Sequence, residues 1–263
     1  MFSPTPITID SARERRARCT ASDVLRWSGL PDFVDEQSDV QCLALRQVAA
    51  LSTLVAEGQP LQRLYVVVAG SFKLVRIDDE GYEQVLGFAL QGDLLGLDAL
   101  PTGYHDHSVV ALEDGAVAIL PLADVLPATA RIPALQQLTL HAAAVELGRR
   151  ATTQYQMSAP STEVRVARFL LDQGQRQRKL GHSGTQLSLR MSRRDIASCL
   201  GVAHESISRA LATLSQEGCI EVHARDIHIL DASALQSLQR VTRGAPRSRA
   251  LRHAQVHAQA LAA

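Results

Sequence analysis

The sequence predicts an α+β fold, in which a small β-sandwich or β-barrel precedes one long helix and a helical C-terminal domain. Between residues 49 and 122, short apolar runs alternate with Gly and Asp turns, a pattern typical of an all-β domain. From Ala134 to Met157 there is no proline, and apolar residues recur at three- and four-residue spacings, which indicates a helix. Beyond residue 160, two further helical segments meet at Gly201.

The bulk composition is that of a globular protein that folds in water. Of the 263 residues, 46% are hydrophobic and 21% are charged. No apolar run approaches the ~20 residues that a membrane span needs, and the N-terminus has no apolar segment of the secretory kind. We therefore expect a cytoplasmic protein that contacts no membrane. The four cysteines are too few and too scattered for a disulfide scaffold.

Charge is divided unevenly along a chain whose formal net charge is zero. Residues 1–159 hold 12 Lys and Arg against 19 Asp and Glu, a net charge of −7. Residues 160–263 hold 15 against 8, a net charge of +7. This asymmetry has two interpretations. Either only the C-terminal part binds a polyanion, or solvated charges are divided by chance.

The N-terminal half divides into two predicted segments. Residues 1–35 are polar, and we expect a mobile segment there. Around Asp35–Leu45 we expect the chain to become partly helical. Residues 36–132 form the predicted β domain. Its expected strands are Leu64–Val68, Phe72–Ile77, Val85–Leu90, Val109–Leu112 and Ala116–Leu120. No glycine-rich phosphate loop follows a strand and opens a helix, so nucleotide hydrolysis has no support.

Residues 133–158 form the predicted long helix. Its apolar stripe has two interpretations, because a long amphipathic helix either lies on its own β domain or packs against a second copy of itself. The stripe that would form a dimer seam consists of Leu135, Leu138, Ala142 and Val145. After this helix, Ser158–Thr162 is a hinge, and Thr162 is a candidate N-cap for a helix from Glu163 towards Gln173.

Residues 192–214 have the spacing of a helix-turn-helix. Gly201 lies at the turn, where positive φ is needed, Ala197 lies four residues before it, and Ile207 lies six residues after it. The remaining inward positions are apolar, namely Ile196, Leu200, Val202 and Ala210. The alternative interpretation is an ordinary corner of two helices. Past the second helix, Cys219–His223 and Asp226–Leu230 alternate around Ala224-Arg225, which predicts a hairpin wing and a winged domain over residues 160–235.

The outward face of the second predicted helix carries side chains that can read double-stranded DNA. Arg209 offers paired donors to guanine, Glu205 accepts from cytosine, and Ser208 suits thymine, with His204 beside them. On a purely structural helix, Glu205 and Arg209 would be a surface pair. At the start of the first helix, Ser192, Arg193 and Arg194 are candidates for phosphate contacts, which position the protein without specifying sequence.

These segments resemble the CRP/FNR superfamily, and within it the FNR-type regulators, over about residues 19–235. The resemblance rests on YVVVAGSFKLVRIDDEGYEQVLGFALQGDLLGLDAL and on MSRRDIASCLGVAHESISRAL, where Glu205, Ser208 and Arg209 match the FNR-type E-x-x-S-R. It implies a double-stranded β-roll like a cyclic-nucleotide-binding domain, a dimerisation helix and a winged helix-turn-helix. It further implies a homodimer on palindromic TTGAT-like half-sites, and RNA polymerase as a partner near Asp78–Tyr82.

The chain departs from the family's cofactor sites. The cluster cysteines of the oxygen sensors correspond to Cys19, Ser22, Ser28 and, in the barrel, Ala118, so we expect no iron–sulfur cluster, because cluster iron needs thiolates. In the cyclic-nucleotide branch, the ribose-binding Glu corresponds to Leu97 and the phosphate-binding Arg to about His107, which leaves Ser108 alone.

Cyclic nucleotide is therefore not expected as a cofactor, and the signal stays open. The β-roll either binds an unidentified small molecule or haem that controls DNA binding, or serves mainly as a docking surface for RNA polymerase. His105 and His107 have two interpretations: one of them ligates haem, or both are surface histidines. No metal-ligand spacing and no catalytic constellation is found, so we expect no metal and no enzymatic activity.

Two further features of the C-terminal part are candidates for a role. Cys199 and Cys219 are possible redox thiols if they are exposed and their pKa values are lowered; otherwise they are buried structural thiols. Residues 236–263 are basic, without an acidic residue, and we expect a disordered tail. Such a tail would either add non-specific phosphate attraction or be inert.

Overall fold

The computed structural model describes residues 18–30, 42–129 and 132–239. They group into two compact units, one within Met1–Arg76 and Phe88–Glu146 and the other within Ile77–Gly87 and Leu147–Ala263. Most of the segment predicted to be mobile, and nearly all of the predicted basic tail, lie outside the described residues. Within the described ranges, no helix combines the length and the apolar character that crossing a membrane requires.

The strands up to residue 121 form two sheets, whose described pairings are antiparallel. The strands are β1 (Arg18–Thr20), β2 (Cys42–Val48), β3 (Thr53–Val55), β4 (Arg63–Ala69), β5 (Phe72–Ile77), β6 (Glu83–Ala89), β7 (Leu94–Leu95), β8 (Ser108–Ala111) and β9 (Gly115–Pro121). The order is β1-β2-β9-β4-β7 in one sheet and β3-β8-β5-β6 in the other. This arrangement confirms the predicted all-β domain.

Side chains at alternate positions of β4 and β9 enter two hydrophobic clusters, because successive residues of a strand point to opposite faces. The cluster shared by the two sheets includes Tyr65, Val67, Val117 and Ile119. The cluster on the outer face of the five-stranded sheet includes Leu64, Val66, Ala118 and Leu120. Both faces of this sheet are therefore covered, which explains why β4 and β9 are continuous apolar runs in the sequence.

The N-terminal segment joins the fold earlier than the sequence predicts. Strand β1 pairs with β2, and helix α1 (Ala21–Trp27) starts with a capping box between Thr20 and Asp23. Val24 and Leu25 are buried in the outer cluster. The expected mobility of residues 1–35 is therefore wrong for residues 18–30. The helix expected around Asp35–Leu45 is also wrong where the chain is described, because Cys42–Val48 is strand β2.

Two helices follow the last strand of the first unit. They are α2 (Leu122–Thr129) and α3 (Pro133–Met157), and α3 has the length that the sequence predicts. Leu135 and Leu138 of α3 are buried in the outer cluster of their own unit. The predicted seam stripe is therefore wrong at these two positions. The apolar and aromatic side chains that α3 leaves exposed include Leu140, Ala144, Val145, Leu147, Ala151 and Tyr155.

The second unit contains the remaining elements. They are α4 (Thr162–Lys179), β10 (Gln186–Ser188), α5 (Arg193–Leu200), α6 (His204–Gln216), β11 (Ile220–His223), β12 (Asp226–Ile229) and α7 (Ala232–Gln239). The N-cap of α4 is Ser161, not Thr162, because the Ser161 side chain accepts from the Val164 amide. Helix α7 carries the domain past the predicted end at residue 235, since Leu235 and Leu238 are buried.

The tip of the β5–β6 hairpin is a tight turn that belongs to the second unit. The Asp78 carboxylate accepts from the amides of Glu80 and Tyr82 at 3.0 and 2.8 Å. The Gly81 amide donates to the Asp78 carbonyl at 2.9 Å, and Gly81 adopts a φ of 80°. A glycine suits this position because a side chain there would strain the backbone.

Candidate nucleic-acid interface

The first helix of the predicted helix-turn-helix, α5, starts and stops at residues suited to each end. The Ser192 hydroxyl accepts from the Asp195 amide at 3.1 Å, and the Asp195 carboxylate accepts from the Ser192 amide at 2.8 Å. This capping box satisfies two amides that have no partner inside the helix. Helix α5 ends at Gly201, which adopts the left-handed conformation with a φ of 62°. A Cβ at Gly201 would lie 3.0 Å from Met157 Cε, so both conformation and space favour glycine here.

The predicted inward positions hold the two helices together. Ile207 and Ala210 of α6 are 0% and 1% exposed. The matching positions of α5 and the turn are buried or half-buried, namely Ile196, Ala197, Leu200 and Val202. The structure therefore confirms the predicted packing of a helix-turn-helix.

The four predicted base-reading side chains lie on the opposite face of α6. His204, Glu205, Ser208 and Arg209 are all exposed. Among the described residues no ion pair joins Glu205 to Arg209, so the guanidinium keeps its donors for a ligand. The surface pair that the sequence also allowed is not formed. One helix thus buries its apolar stripe and presents four polar side chains together.

The three predicted phosphate-binding residues differ in their surroundings. Arg194 is exposed at the start of α5, whereas the Ser192 hydroxyl donates to Asp195 Oδ2 at 2.6 Å. Arg193 donates from Nη2 to the Ala224 carbonyl at 2.9 Å, and burial lowers the pKa of its guanidinium. Arg193 thus ties the first helix to the wing, while Arg194, the next cation along α5, has no hydrogen bond to the wing among the described residues.

Sequence reasoning missed Arg165 of α4, which positions the turn. Its Nη1 donates to the Leu200 carbonyl at 2.8 Å and to the Gly201 carbonyl at 3.1 Å. Its Nε donates to the Ala159 carbonyl at 3.3 Å. The last carbonyls of a helix have no donor within the helix, so a cation at this end satisfies and stabilises them. An arginine at a helix surface gives no sequence signal for this role.

Ser198 is a second residue that the sequence did not reveal. It lies on α5 and is buried, and its hydroxyl donates to the Glu83 carbonyl at 2.9 Å while accepting from the Val85 amide at 2.8 Å. Gln84 Nε2 donates to the Ser198 carbonyl at 2.7 Å. Within the second unit, the hairpin segment is therefore bound to the first helix by three hydrogen bonds.

The two candidate redox thiols meet neither condition set for them. Cys199 and Cys219 are both buried. Burial, with the charge of Asp172, raises the pKa of the Cys199 thiol to about 12. Burial, with the charges of Glu217 and Asp231, raises the pKa of the Cys219 thiol to about 11. Both are structural thiols in this conformation, because the thiolate is the reactive species.

The residues at the family's cluster positions lack the donors that an iron–sulfur cluster needs. Cys19 is buried, and burial raises its pKa to about 11. The hydroxyls of Ser22 and Ser28 are buried without a hydrogen-bond partner in the described part of the chain. Ala118 fills its place in strand β9 with a methyl group. One thiol, two hydroxyls and a methyl group do not fit a cluster bound by thiolates.

The segment that corresponds to the family's nucleotide site has a different set of side chains. His105 and His107 are 6% and 5% exposed, so the interpretation as surface histidines is wrong. Both rings lie against Asp98, on a short 3-10 helix (Leu97–Ala99). Ser108, the remaining residue of the nucleotide set, accepts from the Glu57 amide at 2.9 Å. The packing of the loop buries His105 and His107, and this packing cannot be predicted from the spacing of residues in the sequence.

Two family profiles match the chain. Residues 45–131 match a cyclic nucleotide-binding domain, and residues 164–238 match a Crp-like helix-turn-helix domain. The first range covers strands β3 to β9 and part of β2, and the second covers most of α4 and the elements that follow it up to α7.

The chain is also similar to whole proteins. It is 32% identical over 233 residues to the transcriptional regulatory protein btr of Bordetella pertussis, covering 89% of this chain and 96% of that protein. It is 32% identical over 191 residues to the fumarate and nitrate reduction regulatory protein of Escherichia coli, covering 73% and 76%. The structure of FixK2 from Bradyrhizobium japonicum matches with a TM-score of 0.68 and 26% identity, covering 76% of this chain and 98% of that one.

Proposed function

The chain belongs to the CRP/FNR family of transcription regulators, and we propose that it acts in the cytoplasm as a homodimer on two-fold symmetric DNA sites with TTGAT-like half-sites. Its relatives are regulators and not enzymes. The observation that carries the proposal is the outward face of α6, where His204, Glu205, Ser208 and Arg209 stand together. They lie opposite the buried Ile207 and Ala210, which fix the orientation of the helix.

The chemistry of this face suits the edges of base pairs in a major groove. Arg209 provides two parallel donors for guanine O6 and N7, and Glu205 accepts from the amino group of cytosine or adenine. Ser208 either forms a hydrogen bond or packs against thymine, which suits the thymines of TTGAT. Arg194 supplies a donor for the phosphate backbone, which sets the register of the helix.

A two-fold site requires two recognition helices, and α3 offers a surface for pairing two chains. The exposed side chains Leu140, Ala144, Leu147 and Ala151 recur at spacings of four, three and four residues. Such a stripe on one helix is buried when two helices pack together. The half-sites of the resulting dimer would lie about one helical turn apart, ~10–10.5 bp.

The experiment is selection from random duplexes followed by titration of two arginine variants. We expect an enriched palindrome with TTGAT-like half-sites. Arg209→Ala should weaken binding to that site by ~1–3 kcal/mol in each half-site, because it removes a bidentate bond to a base, and should change binding to random DNA little. Arg194→Ala should weaken both by similar factors, because a phosphate contact carries no sequence information.

Arg194→Ala is the matched control, since each variant removes one guanidinium from the same domain. Enrichment of a TGTGA-type consensus would contradict the assignment of Ser208. An Arg209→Ala protein that still prefers guanine at the same position would contradict the assignment of Arg209.

The cofactor part of the proposal is that DNA binding needs neither an iron–sulfur cluster nor a cyclic nucleotide. The donor set at Cys19, Ser22 and Ser28 supports the first statement, and His107 at the place of a phosphate-binding arginine supports the second. Protein purified without oxygen should lack stoichiometric sulfide and the broad absorption of a cluster. Stoichiometric iron with sulfide would contradict the proposal.

The exposed turn at Asp78–Tyr82 is the proposed surface for RNA polymerase. The resemblance to the family supports this assignment, as does the exposure of the Tyr82 side chain, which is 57%. Asp78→Ala should lower transcription from a selected promoter in a purified system while DNA binding stays unchanged. Equal transcription by both proteins would contradict the assignment.

A further inference from the structure

Four side chains with metal-ligating atoms gather in one loop of the first unit. Asp98 lies on the short 3-10 helix, and His105, Asp106 and His107 directly precede strand β8. One donor atom each from Asp98, Asp106 and His107 lie within 4.8 Å of one another. The His105 ring also lies close to the Asp98 carboxylate, near the same oxygen that His107 approaches. Neither DNA contact nor the dimer seam uses this cluster.

Two separations within the cluster are close to the spacing between ligands of a common ion. His105 Nδ1 and His107 Nδ1 lie 3.4 and 3.6 Å from Asp98 Oδ2, and His107 Nδ1 contacts Asp106 Oδ1. N–H···O hydrogen bonds are typically ~2.7–3.2 Å, so the two separations to Asp98 are long for direct bonds. Two ligand atoms about 2.1 Å from one tetrahedral ion are roughly 3.4 Å apart.

The charge of the cluster favours a cation. The side chains of Asp98, His105 and His107 are 4%, 5% and 6% exposed. A buried carboxylate is costly unless a positive partner neutralises it. The Asp106 side chain is 49% exposed and leaves the cluster accessible from solvent.

The loop backbone holds these side chains in place before any ligand arrives. The Asp106 amide donates to Asp98 Oδ2 at 3.0 Å. The His105 amide donates to the Gln59 carbonyl at 2.9 Å, and the Gly58 amide donates to the His105 carbonyl at 2.8 Å. Hydrogen bonds of this kind orient the ligands of metal sites.

We propose that Asp98, Asp106 and His107 bind one divalent transition-metal ion of the Zn²⁺ type, with His105 beside Asp98 at the edge of the site. An imidazole nitrogen with two carboxylate oxygens and an open position suits Zn²⁺ and neighbouring first-row ions better than Mg²⁺ or Ca²⁺, which prefer oxygen alone. By the family resemblance, His107 stands where the nucleotide branch has its phosphate-binding arginine. The site therefore replaces an anion pocket by a cation pocket at one place in the roll.

The test uses full-length protein freed of metal with a chelator, and no DNA, so its outcome is independent of the proposed function. Zn²⁺ is titrated in competition with a chromophoric chelator, and Co²⁺ is titrated as a visible probe. We expect one site, with the intense visible absorption of low-coordinate Co²⁺. His107→Gln and Asp106→Asn should each weaken Zn²⁺ binding at least about tenfold and lower the Co²⁺ absorption.

Asp106→Asn keeps the test decisive even if His107→Gln disturbs folding, because the Asp106 side chain is half exposed. The matched control is the double variant His223→Gln, His228→Gln, which removes two histidines whose rings lie 6.1 Å apart on the wing. This control should bind like the parent protein. The proposal is overturned if the parent shows no Co²⁺ absorption, or if Asp106→Asn binds Zn²⁺ as tightly as the parent.

Discussion

Arg165 Nη1 donates to the Leu200 carbonyl at 2.8 Å, from helix α4 to the end of helix α5. The same nitrogen reaches the Gly201 carbonyl at 3.1 Å. Leu200 is the last residue of α5, and the turn after it determines where α6 begins. The side chain that fixes this turn therefore lies outside the helix-turn-helix segment itself.

Replacing Arg165 by methionine should destabilise the second unit. The variant keeps most of the apolar stem but leaves two helix-end carbonyls without their charged donor, at a cost of about 1.5–3 kcal/mol in the free energy of unfolding. Urea unfolding followed by far-ultraviolet circular dichroism measures this cost, since the one tryptophan, Trp27, lies in the first unit. Arg194→Met is the control and should change stability by less than about 0.5 kcal/mol. Equal stabilities for the two variants would refute the role of Arg165.

A charge on the exposed stripe of α3 should prevent pairing of two chains. Leu147 is 70% exposed in the single chain, so Leu147→Arg leaves the fold of one chain intact. In a dimer seam, the same arginine would be a desolvated charge without a partner. Sedimentation at micromolar concentration should then show a dimer for the parent and a monomer for the variant. Leu51→Arg, at a site 81% exposed and outside the helix, should stay dimeric. A dimeric Leu147→Arg protein would exclude this face.

Two Ser→Ala substitutions should change stability in opposite directions. Ser22 is 0% exposed and its hydroxyl has no partner among the described residues, so Ser22→Ala should raise the free energy of unfolding by about 1 kcal/mol. Ser192 caps α5, so Ser192→Ala should lower the free energy of unfolding of the second unit by about 1 kcal/mol. Trp27 fluorescence reports the first change, because Trp27 and Ser22 share helix α1. A destabilised Ser22→Ala protein would indicate a hydrogen bond to this hydroxyl.

Alkylation should distinguish the buried thiols from the exposed one. Burial and the charge of Asp172 raise the pKa of Cys199 to about 12, so its thiolate is scarce at pH 8. Cys42 is exposed. Under native conditions at pH 8, iodoacetamide should label Cys42 long before Cys199, and peptide mass mapping gives the two rates. In urea the two rates should become similar. Fast native labelling of Cys199 would restore it as a candidate sensor.

The sequence predicts a feature well when the residues that determine it lie close together in the chain. The helix-turn-helix was predictable because Gly201, Ala197 and Ile207 lie within one short segment and each has a steric role. The long helix was predictable for the same reason, although its inward residues were not. Leu135 and Leu138 face the roll only because β strands distant in the sequence cover them.

The errors concern contacts that the chain makes over long distances. Strand β1 is too short to show alternation, and its pairing with β2 crosses residues 31–41. The burial of His105 depends on hydrogen bonds to Gln59 and Gly58, far back in the sequence. Arg165 and Ser198 look like ordinary helix residues, because the groups that they bind are backbone carbonyls and amides.

The Asp78 turn has a thermodynamic consequence for any protein that binds the hairpin tip. Fixing the backbone of one flexible residue costs about 1–2 kcal/mol in conformational entropy. Here the bonds from Glu80, Gly81 and Tyr82 to Asp78 have already imposed that order, so a partner must restrain side chains alone. Asp78→Ala would leave Tyr82 exposed yet loosen the loop. Its effect on affinity should therefore appear as a less favourable binding entropy, with the contact area unchanged.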